Sequence, residues 1–252
     1  IIFGYYILAT LLPVDKIIGS IYPFMGAILL FMAFGVGIAL VVGDLNGTHE
    51  MVELTPAMMK NWHADPQNNI LVPMMFIVIS CGAISGFHAT QSPMMARCLK
   101  NEKHARPVFY GAMIAEGIVA MIWATAAMAY FGGPEGLNAA MTDTGIEING
   151  QLIKNAQAAD LVDLICKSWL GKMGAVIAIL GVVICPITSG DTAFRSLRLS
   201  IADFLNYDQK PVVKRLVVCL PVFVIAFFFC KVDFSTAWSY LGIANQTLAA
   251  LV

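Results

Sequence analysis

The residues best suited to chemistry in this chain lie where its apolar pattern breaks. The run "ILVPMMFIVISCGAI", residues 70–84, is followed directly by "SGFHATQSP", residues 85–93. Ser85-Gly86 can release a helix, because glycine tolerates conformations that end one. Ser92-Pro93 can restart it, with Ser92 as N-cap and Pro93 at the first helical position. Between them His88, Thr90 and Gln91 carry side chains able to meet a polar ligand. A restarted helix presents unpaired N–H groups and the positive end of its dipole, which favour a carboxylate. The competing reading is a plain helix end at the membrane surface, with "SPMMARCLKNEK" as an interfacial turn.

A second such stretch is "CPITSGDTAFRS", residues 185–196. Pro186 is expected to kink the helix there, and Thr188, Ser189 and Asp191 follow within one turn. Two hydroxyls and a carboxylate suit a hard cation such as Na⁺, or a proton relay. The bland alternatives are that Asp191 or Ser189 caps the helix "TAFRSLRLSIADFL", or that the hydroxyls bond back to their own helix. Glu116 stands inside the apolar stretch "YGAMIAEGIVAMIWATAAMAYF" and is a third candidate, for proton or ion coupling, since intramembrane carboxylates are costly and commonly functional. Pairing with a neighbouring helix is its structural alternative. Gly111, Ala112, Ala115 and Gly117 beside it suit close helix approach. Asn245-Gln246 in the final segment suits hydrogen bonding between helices.

No enzyme motif is present: there is no nucleophile elbow, no H-E-x-x-H and no phosphate-binding loop. The six cysteines are scattered without C-x-x-C pairs, which reads as small hydrophobes rather than metal ligands. No cofactor is expected beyond a transported H⁺ or Na⁺.

These residues must be positioned by membrane helices. Of 252 residues, 59% are hydrophobic and 12% charged, whereas soluble domains run at roughly 45–50% and about 25%. A net charge of −1, without a basic stripe, gives no support to a nucleic-acid partner, and none is expected. Seven apolar segments are expected, at about 1–13, 17–43, 70–99, 107–131, 169–205, 212–231 and 234–252. Ten of the 15 basic residues, Arg195 and Arg198 among them, then fall in loops 14–16, 97–106 and 195–215, the last taken with its margins around the connection 206–211, and ten of the 16 acids fall on the opposite side. The positive-inside rule makes the first set cytoplasmic and loops 44–69 and 132–168 periplasmic. Residues 44–69 suggest a short interfacial helix near Trp62. Residues 132–168 suggest turns at "GGPEG" and "TDTG" followed by a helix over "IKNAQAADLVDLICKSW". The opening "IIFGYYILATLLP" and the closing "IANQTLAALV" both read as clipped apolar runs, so a fragment of a longer chain is expected.

The long stretch "WHADPQNNILVPMMFIVISCGAISGFHATQSPMMARCLKNEKHARPVFYGAMIAEGIVAMIWA", with "CPITSGDTAFRSLRLSIADF" and "GIANQTLAA", resembles the carbon starvation protein A (CstA) family. The resemblance implies a bacterial inner-membrane secondary transporter, distantly similar to the LeuT-like amino acid–polyamine–cation superfamily. It implies import of pyruvate or short peptides, proton coupling and a role in carbon starvation. It further implies a remainder of the transporter, including an N-terminal region, outside this chain. In a LeuT-like order, segment 70–99 would be an unwound helix with Ser85, Gly86, His88, Thr90, Gln91 and Ser92 facing substrate, and Thr188 and Ser189 would face a cation.

The expectation is therefore an all-α integral membrane protein. It is a multi-span helix bundle with two interrupted helices, a piece of a LeuT-like inverted-repeat transporter in contact with membrane lipids. A seven-span receptor or sensor is the alternative from another class, and it predicts uninterrupted helices.

Overall fold

The computed structural model describes residues 4–6, 15–53, 55–63, 65–83, 88, 92–93, 95–96, 98–232 and 234–251. The chain is an all-α membrane helix bundle. Helix α1 spans Asp15–Leu45, α2 spans Leu71–Ala83 and α3 spans Ala112–Tyr130. A short α4, Pro134–Met141, precedes a two-stranded hairpin, β1 Ile146–Ile148 and β2 Gln151–Ile153. Helices α5 (Ala158–Phe204), α6 (Val212–Phe229) and α7 (Phe234–Leu251) complete the order. Among the described residues four stretches are long and apolar enough to cross a membrane: Pro23–Leu45, Glu102–Tyr130, Ala158–Gly181 and Val212–Phe229. Leu71–Ser80 is apolar but shorter. The chain is thus a multi-pass membrane protein, and helices suit that setting because they satisfy every backbone group internally.

Helix α3 is entered without a loop. Asn101 accepts the Lys103 N–H at 3.0 Å and opens a single 3₁₀ turn, Glu102–His104, followed by a π-helical turn over Arg106–Gly111. Proline at position 107 suits this start, because the first turn has no use for its missing N–H.

Helix α5 is interrupted, but at Gly171 and not at residues 185–191. Gly171 takes φ 63° and ψ −150°, a conformation that a side chain would forbid, and no other residue of α5 departs from helical geometry. A Cβ at Gly174 would overlap the carbonyl oxygen of Cys166, so the bend needs both glycines. The backbone then runs helically from Lys172 through Pro186 to Phe204. Proline removes one helical hydrogen bond, and a membrane helix survives that loss when neighbours re-satisfy the freed carbonyl. Asp191 is therefore inside a helix, where no free N-terminal N–H groups exist for it to cap.

The connection 132–168 folds as a packed piece. Asn149 and Gly150 take φ 53° and 74°, a tight hairpin turn whose dipeptide is a strong signal for that geometry. The strands pair Ile146 with Ile153 and Ile148 with Gln151. Ile153 and Ala156 then join Phe131, Ala140 and Leu161 in a small apolar core. The helix expected from residue 153 starts at Ala158, because Ile153 is held in the hairpin and Asn155 turns with φ 50°. In the other long connection the helical element among the described residues is one 3₁₀ turn, Pro56–Met58, and the Trp62 indole donates to the Met58 carbonyl at 3.0 Å. Asp65 there accepts from the Asn68 amide at 2.7 Å, a bond that holds its carboxyl below the usual range.

The helices divide into two compact units. One, formed by Pro23–Leu71 and Arg106–Cys185, has an apolar core of Met32, Val36, Ala126, Ile165, Cys166 and Ala178. Close approach in it occurs at Gly37, against Ile122, and at Gly181, against Met32. Gly117, expected to serve that purpose, has nothing within 4 Å of where a Cβ would stand. The other unit holds residues 1–22, 72–105 and 186–252, with Tyr6, Cys219 and Phe223 packed around Phe194. Every buried polar or charged residue among those described belongs to this second unit: Ser80, Asp191, Ser196, Arg198 and Asn245.

Candidate functional site

A buried polar side chain in a membrane protein is costly, so a concentration of them marks where the fold does something besides span. The concentration here sits on the second part of α5, beyond the spanning stretch Ala158–Gly181. Asp191, Arg195 and Arg198 are spaced by four and three residues, which places them on one stripe of the helix. Asp191 is 3% exposed, and its Oδ2 lies 3.5 Å from an Arg195 Nη2. A carboxylate and a guanidinium desolvated together lose hydration that their attraction must offset, and neither tolerates loss of the other. Ser196 is buried one residue beyond the pair, and Arg198 lies beyond that.

Aromatic rings wall the stripe. Phe194 packs against Tyr6 with centroids 5.2 Å apart and against Phe223 of α6 at 4.8 Å. Tyr6 gets that close because residue 190 is glycine: a Cβ there would overlap the phenol oxygen. The Asp191 carboxylate thus lies beside the Arg195 guanidinium on a stretch of α5 packed by the Tyr6 phenol and by phenyl rings, an environment of low dielectric in which each charge acts strongly.

The sequence-derived candidates meet this site unevenly. Ser85, Gly86, Thr90 and Gln91 lie outside the described residues, and so does the path of the chain between Ala83 and Ser92 apart from His88. His88 is helical and half-buried in the polar-cored unit, while Ser92 is helical and exposed. Thr188, Ser189 and Asp191 share one turn of α5. The Ser189 side chain is exposed, and its carbonyl accepts from the Thr192 hydroxyl at 3.0 Å, the back-bonding that keeps hydroxyls compatible with a helix. The Thr188 side chain lies outside the described ones. Glu116 is on an exposed face of α3 and belongs to the apolar-cored unit, apart from the Asp191 stripe. Asn245 is buried at 3% exposure in α7. No group of three or more metal-ligating side chains occurs among the described residues.

Arg195, Arg198 and Tyr6 were not legible as site residues. Both arginines counted as charges at the margin of a basic loop, yet they sit inside α5, and Arg198 is 9% exposed. The available signal was their spacing from Asp191 on a single helix face.

Comparison with known proteins places this architecture. The family model "Carbon starvation protein CstA" matches residues 1–159. An uncharacterized membrane protein of Haemophilus influenzae is 47% identical over 153 residues, which cover 56% of this chain and 41% of the relative. The pyruvate/proton symporter BtsT of Escherichia coli K12 is 35% identical over 127 residues, 49% of this chain and 17% of the symporter. The peptide transporter CstA of Bacillus subtilis is 28% identical over 210 residues, 71% of this chain and 35% of the transporter. The chain therefore spans less than half the length of these relatives. No solved structure matches. With residues 1–159 of 252 matched by the family model, the chain belongs to the carbon starvation protein CstA family.

Proposed function

We propose that this chain forms part of a secondary transporter that imports a small carboxylate such as pyruvate, or a short peptide, across the bacterial inner membrane. The observation that carries the reading is the stripe of Asp191, Arg195 and Arg198, with Asp191 and Arg198 buried, on the helix that continues from the membrane-spanning stretch Ala158–Gly181, in a protein whose named relatives are transporters. Ion-paired carboxylates inside membrane helices mark ion and proton pathways. Asp191 is the coupling group in this reading, with Thr188 and Ser189 beside it and Glu116 as a second carboxylate. Residues 85–92, with His88, face the substrate in the same unit. The coupling ion is H⁺ or Na⁺. The functionally named relatives above are a pyruvate/proton symporter and a peptide transporter, which favours transport over the receptor alternative.

The test uses the full-length protein in proteoliposomes, with labelled pyruvate or a labelled dipeptide. Uptake is expected to accelerate when an inward proton or sodium gradient is imposed. Uptake that ignores both gradients would rule out coupling, and absence of uptake for either substrate would rule out this substrate class.

A further inference from the structure

The ion pair on α5 leaves one charge over. Arg198 is 9% exposed, and its Nε and Nη1 are buried without a hydrogen-bond partner among the described residues. Its electrostatic neighbours are Cys219 and Arg215 of α6 and Arg195 and Asp191 of α5. Only Asp191 among them carries a carboxylate, and that carboxylate is engaged by Arg195. Arg215 is held in place by its own bond, Nε to the Gln209 carbonyl at 2.7 Å. Of the three guanidinium groups, Arg198 is the most deeply buried and has donors unused.

Snorkelling does not account for this. Arg198 is six residues before the end of α5, about 9 Å along the axis. A snorkelling arginine at that depth extends its head group to the polar boundary and leaves it wet. Arg198 instead turns Nε and Nη1 inward. A buried guanidinium is stable only when an acceptor receives its N–H groups, and its planar donors suit an oxyanion with two oxygens.

We propose that Arg198, supported by Arg195 and Arg215, is the anchor for the carboxylate of the transported substrate. The site takes a monoanion, because Asp191 already offsets one of the three charges and Arg215 stands at the loop. Alternating access would uncover it by parting α5 from α6, whose contact at Phe194 and Phe223 lies next to it. The assignment rests on the transport reading above for the identity of the anion.

The experiment uses the full-length protein and two readouts. In detergent, thermal protection by pyruvate is compared with that by its uncharged amide, pyruvamide, for wild type and Arg198→Met. In proteoliposomes, an unlabelled dipeptide and its C-terminal amide compete with labelled uptake. Wild type is expected to prefer the free acid by roughly 10- to 100-fold, the range for a hydrogen bond to a charged group. Arg198→Met should weaken binding of the acid into the range of the amide and leave the amide unchanged. An acid preference that survives in Arg198→Met overturns the site, as does a wild type that neither acid protects or occupies. A drop in melting temperature with the preference retained assigns Arg198 to an internal carboxylate and overturns it too. If Arg198→Met does not reach the membrane, Arg198→Lys keeps the charge but not the planar fork and should lose part of the preference; an unchanged preference counts against the site. Pyruvate protection that depends on Arg198 in a protein inert for uptake would sink the transport reading and leave the site standing.

Discussion

At the scale of single residues, Asp191 and Arg195 form the pair on which the polar interior depends. Asp191→Asn removes the charge that Arg195 faces at 3.5 Å, and Arg195→Gln removes the guanidinium that faces the buried Asp191 carboxylate. Because Arg195 retains some solvent contact, each change is expected to destabilise by about 1–3 kcal/mol. The double variant should lose less than the sum of the two, since removing both charges removes the desolvation cost with the attraction. Melting of the full-length protein in detergent reads this cycle, and strict additivity would show that the pair is not coupled. For transport, Asp191→Asn should abolish acceleration by the ion gradient, while exchange of substrate at equal concentrations across the membrane continues. His88→Ala and Glu116→Gln extend the same assay to the other candidate groups, and unaltered uptake removes them from the site.

At the scale of elements, the interruption of α5 has a local cause. Gly171 occupies a backbone region open to glycine alone, so Gly171→Ala should cost about 1–3 kcal/mol through strain. A matched Gly117→Ala in α3 has open space for its methyl group and should be neutral or slightly stabilising, because alanine favours helix. Equal melting temperatures for the two variants would refute the bend as drawn. Much of the element order was readable beforehand: the long apolar runs of α1, α3 and α6 have the length and composition that hydrocarbon demands. The bend was not readable at its true position. Pro186, Ser189 and Gly190 are stronger punctuation on paper than the "LGKMG" around Gly171, yet tertiary contacts hold the first stretch helical. Tyr6 and Phe223 pack around Phe194 there, and Gly190 is used for close approach rather than for a break. The hairpin was missed for a different reason: Asn149-Gly150 signals its turn, but a strand of three residues carries almost no periodicity.

At the scale of the whole molecule, exposed apolar side chains such as Phe24, Phe31, Ile38 and Phe228 are surfaces that water would not tolerate in such number and lipid would. The proposed orientation puts residues 206–211 in the cytoplasm and 132–168 in the periplasm. On a cysteine-free full-length background, an impermeant maleimide applied to intact cells should label Glu147→Cys and spare Asp208→Cys until the membrane is opened. The reverse pattern would invert the topology. Arg195 and Arg198 lie inside α5, so the bias toward that side rests on the remaining basic residues, Lys210, Lys214 and Arg215 among them.

The amino-acid sequence alone determined that this is an all-α membrane protein, because composition and run length follow from the cost of placing backbone and charge in hydrocarbon. It also carried the family likeness, which depends on residue identity and not on shape. Where the polar residues gather was decided by tertiary structure. Burial of Asp191, Ser196, Arg198 and Asn245 in one of two units depends on which helix faces meet, and no local pattern records that. An arginine near a helix end reads the same on paper whether it reaches for water or turns inward. Only the packing of α6 and Tyr6 beside α5 shows Arg198 turned inward, and the physical consequence is a buried cation that calls for an anion.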